Sequence, residues 1–181
     1  MKGWGFMENV MKLEKKKGFT LIELMIVLAV IAILAVVLIP KSQIFKNNSK
    51  NAGVITNVNT VRGYLETKIT NNGGASQYLG WSQMQDAVKS DFGLTGRYQD
   101  FSPVTNATNA QKDNQIVNPF GKDKVSVRVS NQSGSINDTI SPRTNETSSH
   151  EGAVIIYVYS DGYAVFGVDK GGTTTQIFKV K

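Results

Sequence analysis

From Leu24 to Ile39 the chain runs sixteen residues without a charge, and the residue just before that run is Glu23. The length counted from Phe19 suits one membrane-spanning helix, which takes about 20 apolar residues. A carboxylate near the start of such a span is costly, about 2.5–3.5 kcal/mol at the centre of a bilayer helix, so a functional partner is expected for it. Three lysines and a glycine, Lys15-Lys16-Lys17-Gly18, precede Phe19-Thr20-Leu21-Ile22. If the chain is cut after Gly18, the new amine of Phe19 lies four residues from Glu23, one helical turn away. That amine, in the same chain or a neighbouring one, can neutralise the carboxylate.

Two plainer readings explain less. A secretory signal peptide has an apolar region of about 7–15 residues followed by a small-residue cleavage site. This run is longer, carries a glutamate and ends in Leu38-Ile39-Pro40-Lys41. A simple single-pass anchor fits the length but assigns no role to Glu23 or to the Gly18-Phe19 step. Lys12, Lys15, Lys16 and Lys17 precede the span and Lys41 and Lys46 follow it, an asymmetry that keeps the N-terminal side cytoplasmic.

Lys15–Gly18, Phe19, Glu23 and Pro40 together resemble the N-terminal signature of type IV pilins and of the pseudopilins of secretion and competence systems. The resemblance is dense over residues 15–40 and weak elsewhere. It implies cleavage between Gly18 and Phe19 by a prepilin peptidase, N-methylation of Phe19, and a role for Glu23 in subunit assembly. It also implies a helix bend at Pro40, where many relatives carry proline. The implied partners are further copies of the chain in a helical filament, the assembly platform with its ATPase, and the membrane before assembly. The implied fold is α+β, with a long N-terminal helical spine packed on a C-terminal antiparallel sheet of three to four strands. The expected divisions are a leader (1–18), a transmembrane or filament-core half-helix (19–40), an amphipathic half-helix (41–70) and a globular head (71–181). Met1, Met7 and Met11 each offer a start for the leader.

The net charge of +6 is partly a leader effect, because residues 1–18 hold five lysines and two glutamates. The remaining +3 over 163 residues gives no case for specific nucleic-acid binding. The chain has no cysteine, so an exported head must be held by its core and loops alone. Many pilins of Gram-negative bacteria close a C-terminal loop with a disulfide, and this departure leans towards a Gram-positive source.

Past the span, Ile55, Val58, Val61, Leu65 and Ile69 recur at helical spacing. The pattern predicts a helix over 19–70, of roughly 78 Å at 1.5 Å per residue, stopped by Asn71-Asn72-Gly73-Gly74. Trp81, Met84, Val88 and Phe92 form a second apolar stripe behind an N-cap at Ser82, within a connecting subdomain over 76–100. Residues 101–119 read as loop, and Asn118-Pro119-Phe120-Gly121 as a tight turn. Strands follow at 124–129, 153–159, 163–168 and 173–180, the middle pair joined by an Asp161-Gly162 hairpin. The Asn/Ser/Thr-rich stretch 130–151 reads as an irregular, exposed excursion, and 101–115 as exposed too.

Catalytic signals are missing. No phosphate loop, dinucleotide fingerprint or nucleophile elbow occurs. The one histidine, His150, lies in the polar excursion with no cysteine or second histidine to build a zinc site, so it reads as an exposed loop residue. Asp100, Asp113, Asp123 and Asp138 are scattered without calcium-loop spacing. No enzyme, cofactor or metal is expected, although some pseudopilins bind calcium. The Asn-x-Ser/Thr triplets at Asn106, Asn131, Asn137 and Asn145 are glycosylation acceptors only where matching machinery exists. The resulting expectation is a bacterial pilus subunit, anchored in the cell membrane and then extracellular, that supports surface adhesion, twitching motility or aggregation. Surfaces or host ligands would meet it at its loops. A minor pilin, a pseudopilin of a secretion or DNA-uptake system, and a single-pass anchored binding protein are the alternatives.

Overall fold

The computed structural model describes residues 18–181, and expectations about residues 1–17, including the choice of start, lie outside the described residues. The chain divides into two compact units at Ser42/Gln43. The first holds the beginning of α1 (Leu21–Thr67), and every side chain from Leu21 to Leu38 is exposed. Over those 18 residues the mean hydropathy is 3.2, so this helix is long and apolar enough to cross a membrane. The helix continues through position 40.

In the second unit α1 buries one line of side chains: Val54, Val58, Val61 and Leu65. With 58, 61 and 65 facing inward, position 54 completes the i, i+4, i+7, i+11 seam. Ile55, expected on that seam, sits one residue round the helix and stays half exposed at 50%. The helix ends at Thr67, where the Thr67 hydroxyl donates to the Tyr64 carbonyl at 2.7 Å. The Asn-Asn-Gly-Gly stretch does not close it. It instead turns a hairpin between β1 (Thr70–Asn72) and β2 (Ala75–Gln77). Gly73 and Gly74 take φ of 61° and 89°, the two positive values that a two-residue type I′ turn demands.

Helix α2 (Trp81–Asp91) carries the expected stripe, with Met84, Val88 and Phe92 buried. Its N-cap is Gly80 rather than Ser82, and the Gln83 side chain reaches back to accept from the Gly80 amide at 3.0 Å.

A six-stranded sheet follows in the order β3 (Leu94–Arg97), β4 (Asp100–Pro103), β5 (Val127–Asn131), β6 (Val154–Tyr159), β7 (Gly162–Gly167), β8 (Phe178–Val180). The fold is α+β, and the β6–β7–β8 meander is antiparallel as expected. The sheet is larger than three or four strands because β3 and β4 add a hairpin. Each has four residues and little alternation, so neither announces itself. A Cβ on Gly96 would lie 1.9 Å from the Asp100 carbonyl oxygen, so the two strands approach only where the side chain is absent. Short helix α3 (Asn109–Asn114), capped by Thr108, also interrupts the expected loop.

The Asn118–Gly121 turn is present, without positive φ at Gly121. Asn118 is buried and ties three segments. Its side-chain amide donates to the carbonyls of Val125 (2.6 Å) and Glu151 (2.8 Å), and its side-chain oxygen accepts from the Phe120 amide.

One pair breaks the antiparallel pattern: β5 and β6 run parallel. Parallel neighbours need a crossover that returns the chain to the starting end, and here residues 132–153 supply it. The stretch is therefore no loose excursion. It contains α4 (Thr144–Ser149), and Ile136, Glu146 and Thr147 are buried. Strand alternation sorts the sheet into two faces. Phe101, Val127, Val129, Val154, Ile156, Val158, Tyr163 and Val165 join the α1 and α2 seams in one core. Ile155, Tyr157, Tyr159, Ala164 and Phe166 point the other way and pack with Ile136 in a second core. Ile136→Ala should therefore cost about 2–4 kcal/mol, as burial of a large aliphatic side chain implies. Denaturant unfolding of the full-length chain in micelles measures it, and a change under about 0.5 kcal/mol, the size of a surface effect, would show that the crossover does not cover the sheet.

Candidate functional site

Two regions carry chemistry beyond packing. The first is the start of α1. Gly18 and Phe19 are exposed, Phe19 at 92%. Thr20 is the residue before the helix, and its amide and hydroxyl both donate to Glu23 Oε2, at 2.9 and 2.7 Å. The Glu23 amide donates back to the Thr20 hydroxyl at 3.3 Å. This reciprocal arrangement is a capping box, which satisfies amides that the first helical turn leaves without carbonyl partners. Glu23 is therefore held by Thr20 at this helix start. The Thr-x-x-Glu spacing in the sequence announces such a box, and the reading based on charge alone passed over Thr20.

The second region lies on the outer face of the sheet. Register pairs Asp100 with Arg128, Arg128 with Ile155 and Ser130 with Tyr157, so these side chains share that face. Glu146 of α4 descends onto them and is 3% exposed. Its carboxylate accepts from Tyr157 OH at 2.5 Å, from Ser130 Oγ at 2.9 Å and from Arg128 Nε at 3.3 Å. Arg128 Nη1 also reaches Asp100 Oδ1 at 2.5 Å. Burial by itself would raise the Glu146 pKa, but the hydrogen bonds from Tyr157 and Ser130 and the charge of Arg128 outweigh it. The carboxyl is held below the usual glutamate range. Burial, reinforced by Glu146, pushes the Tyr157 phenol up, so it remains a donor.

His150 belongs to this cluster and is only 10% exposed, contrary to the expectation of an exposed loop residue. The crossover carries it back onto the sheet. Nδ1 lies 2.8 Å from both Ser149 Oγ and the Glu146 carbonyl oxygen, and Nε2 lies 3.2 Å from Asp100 Oδ1. Serine, histidine and aspartate in contact suggest a hydrolytic triad, but the geometry does not fit one. The Ser149 hydroxyl is also 2.6 Å from the Asn145 carbonyl, and Nδ1 is shared with the Glu146 carbonyl, so the hydroxyl and the imidazole are tied into backbone contacts of α4 rather than set apart as nucleophile and base. Among the described residues no group of three or more His, Cys, Asp or Glu is placed to hold a metal ion. Asp100 is engaged by Arg128 and His150, and Asp138 accepts from the Ser135 amide.

An exposed apolar helix that opens on Phe-Thr-x-x-Glu, followed by an α+β head, defines a subunit of the type IV pilin class. Residues 14–39 match the model of the prokaryotic N-terminal methylation motif. A type IV major fimbrial protein FimA of Dichelobacter nodosus is 33% identical over 108 residues, which cover 52% of this chain and 68% of that protein. A second protein of the same name and organism is 40% identical over 68 residues, 37% of this chain and 44% of its own length. No solved structure matches the chain. The chain belongs to the type IV pilin family, whose members are structural subunits rather than enzymes. These relatives lend nothing to the Gram-positive leaning drawn from the absent cysteines.

Proposed function

We propose that this chain is the repeating subunit of a type IV pilus, and that its filament supports surface adhesion, twitching motility or aggregation. The observation that carries the reading is the start of α1, where one carboxylate, capped by Thr20, stands at the head of an apolar helix exposed on every side. Such a surface needs a bilayer or other helices around it. In this reading residues 1–18 form a leader, and a prepilin peptidase cuts between Gly18 and Phe19. Phe19 is then N-methylated. The subunit waits in the cell membrane by residues 19–40 with its N-terminus cytoplasmic. An assembly platform driven by an ATPase moves it into a helical filament outside the cell. Residues 19–40 lie in the filament interior, with Pro40 relieving the helix where one backbone hydrogen bond is lost. Residues 41–70 carry the head formed by residues 71–181.

Two measurements test this. The mature protein from sheared surface fibres should have a mass lacking residues 1–18 and carrying one added methyl group. An uncut chain would instead support an anchored binding protein. Immunogold against the head should label fibres along their length; label confined to tips would indicate a minor pilin, and no labelled fibre a pseudopilin.

A further inference from the structure

We propose that Tyr98 and Arg97, at the β3 edge of the sheet, seat in the recess between α1 and residues 169–178 at the β8 edge of a second copy of this chain. The inference rests on the filament reading above and adds the place where one head meets the next.

Tyr98 carries strain that the fold does not require of a tyrosine. Arg97 and Asp100 pair across β3 and β4, so Tyr98 and Gln99 form a two-residue hairpin loop. Tyr98 has φ of 58° and is the one non-glycine residue with positive φ among those described. Positive φ at the first loop position and not the second is the pattern of a type II′ turn, which ordinarily takes glycine there. A Cβ in that conformation crowds the backbone. Neighbours hold the turn in place. The Gln85 side-chain amide donates to the Tyr98 carbonyl at 2.6 Å, the Val129 amide to the Gln99 carbonyl at 2.9 Å, and the Ser130 hydroxyl to the Gln99 side-chain oxygen at 3.1 Å. None of these contacts uses the tyrosine ring, which is 88% exposed. A strained residue fixed by its surroundings, with a side chain the fold leaves idle, points to a contact outside the chain. Arg97 beside it is exposed, and its guanidinium has no partner among the described residues.

The other edge of the head offers the complement. Asn51, Ile55 and Val58 of α1 line a recess of about 470 Å³ together with Asp169, Gln176 and Phe178. Sites that enclose a small organic group span about 300–1,000 Å³, so a tyrosine ring fits. Ile55 and Phe178 supply apolar surface, and Ile55 is half exposed. Asp169 accepts from the Thr173 amide at 2.8 Å and has no cationic partner among the described residues. The ring thus matches Ile55 and Phe178, its hydroxyl the amides of Asn51 and Gln176, and Arg97 the Asp169 charge. Tyrosine and arginine are the side chains that most often anchor interfaces.

The occupant is another copy because of where the two parts lie. Strands β3 and β8 are the outermost strands of the six-stranded sheet, so projection and recess sit at opposite edges and one chain cannot fill its own recess. Each copy brings one of each. Such a contact is heterologous, and it propagates into a ring or a helix.

The chain has no cysteine, so introduced thiols report cleanly. Sheared surface fibres carrying Tyr98→Cys and Gln176→Cys in one chain, treated with a short thiol-specific cross-linker, should give a ladder of dimers, trimers and longer species. Either single variant should stay monomeric. Tyr98→Gly separates the contact from folding. Glycine suits the φ of this position, so urea unfolding of the full-length variant in micelles should show a head at least as stable as wild type. Its fibre yield should fall on the order of tenfold, as loss of an interface anchor implies. Fibres without a ladder, a dimer from Tyr98→Cys alone, a destabilised Tyr98→Gly head or a wild-type fibre yield from it would each overturn the contact, while the cleaved, methylated pilus subunit stands. Wild-type cells without fibres would instead remove the filament reading and this contact with it. If the paired variant does not assemble, the Tyr98→Gly comparison decides alone.

Discussion

Cells carrying Glu23→Ala should make, insert and cleave the subunit and yet yield almost no filaments. On the function proposed above, the cut after Gly18 creates an amine at Phe19 that must enter the apolar filament interior. Glu23, of the same or an adjacent subunit, is the anion of these segments, since no other acidic residue lies between Phe19 and Pro40. Removing one partner of a buried ion pair costs about 3–5 kcal/mol because the other charge is left unpaired. Each incorporated subunit would carry that cost, more than a hundredfold in the equilibrium for adding it. The capping box adds a finer test. Thr20 donates two hydrogen bonds to Glu23 Oε2 in the uncut chain, so Thr20→Val should weaken the cap while leaving the charge in place. Sheared-fibre yield and the fraction of cleaved subunit, measured together, separate the steps. Glu23→Ala with cleaved subunit and few fibres supports the pairing, and a wild-type fibre yield would eliminate it. Thr20→Val should fall between the two.

The parts legible in the sequence are those whose determinants are local. The apolar run, the Glu23 position and the β6–β7 hairpin lie within short windows, although its turn falls at Ser160-Asp161, one residue before the expected Asp161-Gly162, and strands β6 and β7 fall where their Val, Ile, Tyr and Phe runs place them. The parts that were not legible depend on partners distant in the chain. Asp100 meets His150 fifty residues away, and Arg128 meets Glu146 eighteen residues away. An Asn/Ser/Thr-rich stretch reads as solvated loop unless β5 and β6 are known to be parallel, and nothing in either strand specifies direction. Once that pairing is known, the polar residues of 130–151 are required to cross a sheet face, and burial follows. Strands β3 and β4 escaped for a related reason: Gly96 and Pro103 look like breakers, but they sit where two short strands approach closely and where the hairpin ends.

The largest loss of head stability should come from Glu146. Its carboxylate receives Tyr157, Ser130 and Arg128 in a site almost closed to water. Glu146→Ala leaves Arg128 with Asp100 alone, strips Tyr157 OH of its acceptor and opens a void beneath α4. Breaking a buried charged pair from one side costs about 3–5 kcal/mol, a large share of the roughly 5–15 kcal/mol that holds a typical domain. The pH dependence has a definite sign. The folded carboxyl ionises below the usual glutamate range, so its contribution is complete above the ordinary value and disappears as pH falls through the lower, folded one. Glu146→Gln keeps the shape and some hydrogen bonds but cannot ionise, so it should lose stability at neutral pH and lose progressively less towards acid. Urea unfolding of the full-length wild-type, Glu146→Ala and Glu146→Gln proteins in micelles across the carboxylate range decides the matter. Parallel pH profiles for wild type and Glu146→Gln would show that Arg128, Tyr157 and Ser130 do not stabilise a charge there.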